Sequence, residues 1–196
     1  MPGMSDELDL DIRTGLPAHL RVLAEKYPRA QWRGHRNFND LTAFWLERHL
    51  MFRKLLDKLV SDAQQQLDEA QPRYGAELSR YTGFFLEQLH GHHMIEDHAY
   101  FPKFQVFDKR LLRAFEVLDA DHHALDRHMQ ELADSTNSVL QALGTGKGAH
   151  DSIGRLLSVQ ERFHGFMDRH LSDEEEIIVP VVLEYGAEMD ADEGGV

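Results

Sequence analysis

The chain has 196 residues, with 21 Lys and Arg against 34 Asp and Glu, 13 His and no Cys. Its net charge of −13 argues against a nucleic-acid backbone as partner, because phosphate binding needs clustered basic side chains. Without cysteine there are no disulfides, thiolate nucleophiles, iron–sulfur clusters or Cys-rich zinc sites. The length predicts one domain with a real core. No apolar run approaches the roughly 20 residues of a membrane span. The opening MPGMSDELDLDIR lacks the basic-then-apolar layout of a signal peptide, so a cytoplasmic address is expected.

Residues 1 to about 36 are punctuated by Gly3, Gly15, Pro17, Pro28 and Gly34, which predicts no long element there. LPAHLRVLAEKY within it reads as a short amphipathic helix packing on the main body. A first long helix begins at Asn39 or Asp40 as N-cap. Leu41, Phe44, Trp45, Phe52, Leu55, Leu56 and Leu59 repeat along it at the three-and-four spacing of a buried stripe. Gln71-Pro72 breaks it. A second helix is predicted from about Gly75 to Phe101, and a third from Lys109 to Leu143. GTGKG is a loop. A fourth helix runs from about His150 to Val179, followed by a disordered tail. No strand pattern competes. Four long helices with short connections predict an all-α, antiparallel up-down-up-down bundle.

One motif is written twice. HHMIEDHAYFP from 92 and HLSDEEEIIVP from 170 each place a Glu four residues after a His and a Pro six after that. His92 and Glu96, like His170 and Glu174, therefore share a helix face. Pro102 and Pro180 are expected to stop or kink the helix just past each pair. These are the only His-x-x-x-Glu pairs in the chain, and they fall on alternate helices, which speaks against coincidence.

The other two helices each offer a histidine on the core face. His49, alone on the first helix, has Trp45, Leu46, Phe52 and Leu56 around it on the stripe. On the third helix, His122 has Phe115, Leu118, Leu125 and Met129 at −7, −4, +3 and +7. His123 has Glu116, Asp119, Asp126 and Gln130 at the same offsets, a solvent face. His90, His93, His98 and His123 read as exposed or adjoining the site. Burying His49, His92, Glu96, His122, His170 and Glu174 unpaired would cost several kcal/mol per group. A pair of cations offsets that cost, and donors without thiolate suit Fe, Mn or Zn.

The arrangement resembles the hemerythrin-like family, in its HHE cation-binding branch. The resemblance rests on the doubled motif with its YFP and IVP endings and covers residues from about 40 to 182. It implies residues 39–185 as a hemerythrin-like four-helix bundle, 1–38 as an N-terminal extension packing on it, and 186–196 as a disordered acidic tail. It implies two iron ions in a non-haem di-iron centre, with Mn or Zn as lesser alternatives. His49, His92, His122 and His170 match terminal imidazole ligands, and Glu96 and Glu174 the bridging carboxylates.

Two features depart from the oxygen-carrying members. Their third helix carries a second histidine four residues after the first, where Asp126 stands here. Their last helix ends its motif in an Asp one residue further along, where this chain has Glu174 at i+4. A fifth histidine is thus missing from its usual place, with Asp126 or His93 able to join. Four imidazoles and two bridging carboxylates fill about eight of roughly twelve positions on two octahedral irons, and a further bridging ligand about two more. Two open positions suit a diatomic or peroxide, screened from bulk water by Trp45, Phe52, Phe85 and Leu125. Three roles follow: binding or sensing of O2, NO or a related oxidant; a di-iron enzyme acting on peroxide or NO; and iron handling.

Overall fold

The computed structural model describes residues 6–193. Among them there is no strand, and five α-helices carry the chain: α1 Asp40–Asp68, α2 Tyr74–Ile95, α3 Phe101–Phe107, α4 Leu112–Thr145 and α5 Ala149–Glu193. No helix of the described residues is long and apolar enough to cross a membrane.

Each long helix buries one seam whose members alternate four and three residues apart. On α1 it is Trp45, His49, Phe52, Leu56, Leu59 and Ala63. The seam of α2 runs Leu78, Thr82, Phe85, Leu89 and His92, reaching Glu96 just beyond the helix. In α4 the buried members are Phe115, Leu118, His122, Leu125 and Leu132, and in α5 Phe163, Met167, His170, Glu174, Ile177 and Val181. This spacing keeps one face inward along a helix. Apart from Thr82, the polar members are the histidines and glutamates singled out by the sequence. Leu41 and Phe44 depart from the expected stripe and are exposed.

Helix ends follow local chemistry. Asn39 Oδ1 caps α1 by accepting from the Thr42 N–H at 2.9 Å and its hydroxyl at 2.8 Å. The turn after α4 passes through Gly146 (φ 68°) and Gly148 (φ 66°), a left-handed backbone that glycine adopts without steric penalty.

Neither motif proline stops its helix. After Ile95 the chain makes a π-helical turn over Glu96–Tyr100, where the Phe101 N–H bonds the Glu96 carbonyl five residues back. Pro102 then enters the first turn of α3, where its missing N–H costs little. Pro180 lies inside α5. An interior proline costs about 3 kcal/mol, but Ile177, Ile178, Val179, Val181, Val182 and Leu183 around it are all buried, and their packing carries the helix through. Residues 186–193, read above as the start of a disordered tail, continue α5 to Glu193. Residues 194–196 of that tail, and 1–5 of the extension, lie outside the described residues.

The chain divides into two compact units. The first combines the described residues of Met1–His49 with Ile95–Asp121 and those of Arg169–Val196. Its core joins Leu16, Leu20, Leu23 and Trp32 to Trp45, Phe101, Phe115, Leu118 and the apolar residues of α5 from Ile177 onward. The helix expected over residues 16–27 is replaced by a single 3-10 turn at Ala18–Leu20. Its leucines are still buried, and side-chain ties to α5 hold the irregular backbone: Arg21 to Glu176, and Lys26 and Tyr27 to Glu184. Tertiary contacts override the helical pattern.

The second unit comprises Leu50–Met94 and His122–Asp168. Phe85 lies at its centre, edge-on to Phe52 (centroids 6.0 Å) and to Phe163 (5.6 Å). Phe85 is fully buried, so Phe85→Ala removes both edge contacts and leaves a cavity costing about 3–5 kcal/mol. Denaturant unfolding should show the midpoint falling accordingly, and a loss under about 1 kcal/mol would contradict this packing.

Candidate metal centre

In the first unit, His49, Glu96, His170 and Glu174 converge. One ligand-capable atom from each of His49, Glu96 and Glu174 lies within 4.8 Å of those of the other two. Glu174 Oε2 is 3.6 Å from His49 Nε2 and 3.5 Å from His170 Nε2. His170 reaches it because the two stand one turn apart on α5. Trp45 donates its indole N–H to Glu96 Oε1 at 2.7 Å, and its ring lies 4.0 Å from that of His49.

The far nitrogen of each imidazole is held by a carboxylate. His49 Nδ1 is 3.0 Å from Glu175 Oε1, and His170 Nδ1 is 3.2 Å from Asp121 Oδ2. An ionised carboxylate only accepts, so Nδ1 carries the proton and Nε2 keeps its lone pair for a cation. Burial pushes the Asp121 carboxyl up, but hydrogen bonds and charge from Arg13 and His170 outweigh it and hold it below the usual carboxylate range.

Glu174 behaves oppositely. It is wholly buried, and neither carboxylate oxygen makes a well-formed hydrogen bond. Burial first, then the negative charge of Glu96, raises its pKa well above the ordinary value. Two facing buried carboxylates among imidazoles are costly without positive charge. Imidazole and carboxylate donors with no sulfur suit iron, manganese or zinc. The residues therefore fit a metal site.

In the second unit His92, His93 and His122 are all buried. The rings of His93 and His122 stack at 4.0 Å with planes 12° apart. His92 packs 5.2 Å from the Phe52 ring. His123 and Asp126 are exposed, so Asp126 does not supply the extra donor.

His93 is the residue that sequence reasoning set aside. It stands one position off the α2 seam, yet it is 4% exposed. The offset test that separates His122 from His123 would have found it, since Leu86, Leu89 and Glu96 lie at −7, −4 and +3.

A cavity of about 500 Å³ in the first unit runs from the exposed Asn39, Asp40 and Leu41 to the buried Glu96 and Glu174, between walls that include Trp45, Phe101, Phe104 and Ile178. Trp45 therefore lines a path toward the carboxylates as well as shielding them. The volume is within the range of small-molecule sites.

A family model described as the hemerythrin HHE cation-binding domain matches residues 40–145. The match includes His49, His92, His93, Glu96 and His122 and ends before α5. His170 and Glu174 lie outside the matched residues and are tied to the site by the second copy of the motif and by geometry. No curated protein and no solved structure matches the chain.

With its pKa raised, Glu174 keeps a proton in the folded state that the unfolded chain releases near pH 4.5. The folded state binds more protons there, so this group makes the metal-free protein lose stability as pH climbs above 4.5. Glu174→Gln should flatten that decline in denaturation of chelator-treated protein across pH. Equal slopes in both proteins would show that Glu174 is not the group under strain.

Proposed function

Because the chain belongs to the hemerythrin HHE cation-binding family, we propose that it is a non-haem di-iron protein that binds or senses O2, NO or a related small oxidant. The bundle is read as antiparallel, up-down-up-down, with the ions held inside it. One observation carries the reading. Within the first unit, donor atoms of His49, Glu96 and Glu174 lie within 4.8 Å of one another, and His170 Nε2 lies 3.5 Å from Glu174 Oε2. Glu96 and Glu174 would be shared between the two ions, with His49 and His170 as imidazole donors and His92, His93 and His122 proposed as the others.

His93 alters the expected ligand count. Five imidazoles and two bridging carboxylates fill about nine of roughly twelve positions, where four imidazoles fill about eight. After a further bridging ligand, about one position stays open, which suits capture of one small molecule. When bound, iron supplies the redox change and the open position for that ligand. The protein's part is to hold imidazole Nε2 atoms and carboxylate oxygens in place, keep Nδ1 protonated through Glu175 and Asp121, and exclude bulk water with the aromatic residues around Trp45.

Protein purified without added metal should contain about two irons per chain. The reduced form should gain a near-ultraviolet or visible band under O2 that fades on deoxygenation. Irreversible oxidation with no such band would reject reversible binding.

A second reading is a di-iron enzyme acting on peroxide or NO, since the cavity gives small molecules a path from the surface to Glu96 and Glu174. Steady turnover of H2O2 or NO by the iron-loaded protein, abolished in Glu96→Ala, would favour this role. Activity that survives removal of the metal would exclude it. Iron handling is a third role; a chelator that leaves the melting temperature unchanged would count against it.

A further inference from the structure

We propose that the N-terminal segment supplies one positioning arginine to each ion site: Arg13 acting through Asp121 on His170, and Arg29 acting through Glu175 on His49. The inference rests on the di-iron reading above. Its residues lie in the first unit, and both arginines precede the part of the chain matched by the family model.

Arg13 is buried, its side chain 2% exposed. Its Nε donates to Asp173 Oδ2 at 2.9 Å and its Nη1 to Asp121 Oδ1 at 2.7 Å. Nη2 donates to Asp121 Oδ2, the same oxygen that faces His170 Nδ1 at 3.2 Å. Nη1 also reaches the Leu8 carbonyl at 2.7 Å, and the Leu16 N–H donates to Asp173 Oδ1 at 2.8 Å. The planar fork fixes both oxygens of Asp121, and Asp121 in turn fixes the rotation of the imidazole.

The second relay has the same order. Arg29 Nη1 donates to Glu175 Oε2 at 2.5 Å, and Glu175 Oε1 faces His49 Nδ1 at 3.0 Å. Arg29 is about half exposed and lies 4.5 Å over the Trp32 ring, so its hold is weaker. The relays end on different imidazoles, His170 and His49, whose Nε2 atoms approach Glu174 Oε2 at 3.5 Å and 3.6 Å.

A clamp that merely stabilised the fold would weaken both ions alike. A positioning clamp weakens one ion per arginine. The test is an anaerobic titration of the full chain with ferrous iron against a competing chelator. Arg13→Met should weaken by about 10–100-fold the binding step that His170→Ala abolishes, leaving the other step unchanged. Arg29→Met should weaken the step that His49→Ala abolishes, by less. Arg13→Lys, which keeps the charge and loses the fork, should fall between wild type and Arg13→Met. If Arg13→Met does not fold, Arg29→Met and Arg13→Lys carry the same comparison. Wild-type affinity at both steps in these variants, or equal weakening of both, would overturn the inference. A wild-type chain that takes up no iron would instead overturn the di-iron reading.

Discussion

Glu174 is wholly buried at the inner end of the cavity, facing Glu96, with the imidazoles of His49 and His170 within 3.6 Å. Two carboxylates in that setting repel across a medium that screens poorly. Retaining a proton on Glu174 relieves part of the repulsion, the direction in which burial and the Glu96 charge push its pKa. Cations relieve all of it and draw on the imidazoles at the same time. The rest of the first unit is arranged around this constraint, with apolar seams that place the donors and a polar layer that orients them.

That polar layer is built outward in three sets. Imidazoles and the two glutamates form the inner set, Asp121, Asp173 and Glu175 the next, and Arg13 and Arg29 the outermost. Replacing a buried ion pair with apolar residues is often neutral or stabilising. The layer is therefore better understood as orientation than as a source of stability. The N-terminal segment, held by leucines and Trp32, brings Arg13 against Asp121 and Asp173 and Arg29 against Glu175.

The two prolines show how one sequence feature takes two structural forms. Ahead of Pro102 the chain widens into a π-helical turn that begins at Glu96, a geometry frequent at functional sites. At Pro180 the apolar residues of α5 carry the helix through unchanged. The difference lies in the surroundings. Valines and isoleucines are buried on several sides of Pro180. His98 and Ala99, in the turn before Pro102, are exposed and leave that turn room to expand.

Four-and-three periodicity in the sequence is enough to place His49 and His122 on inward faces, because side-chain direction along a helix follows from its pitch. It is enough also to pair His92 with Glu96 and His170 with Glu174, and to set the helical class. His93 stands one position off the seam, and its core face is legible only when its own offsets, Leu86, Leu89 and Glu96, are read. The relays from Arg13 and Arg29 join residues more than one hundred positions apart, and local pattern carries no information about such pairs. The same holds for the passage of α5 through Pro180 and for the irregular course of residues 16–27. In each case the energy of burying distant side chains together outweighs the local preference of the backbone, and that energy exists only once the chain has folded.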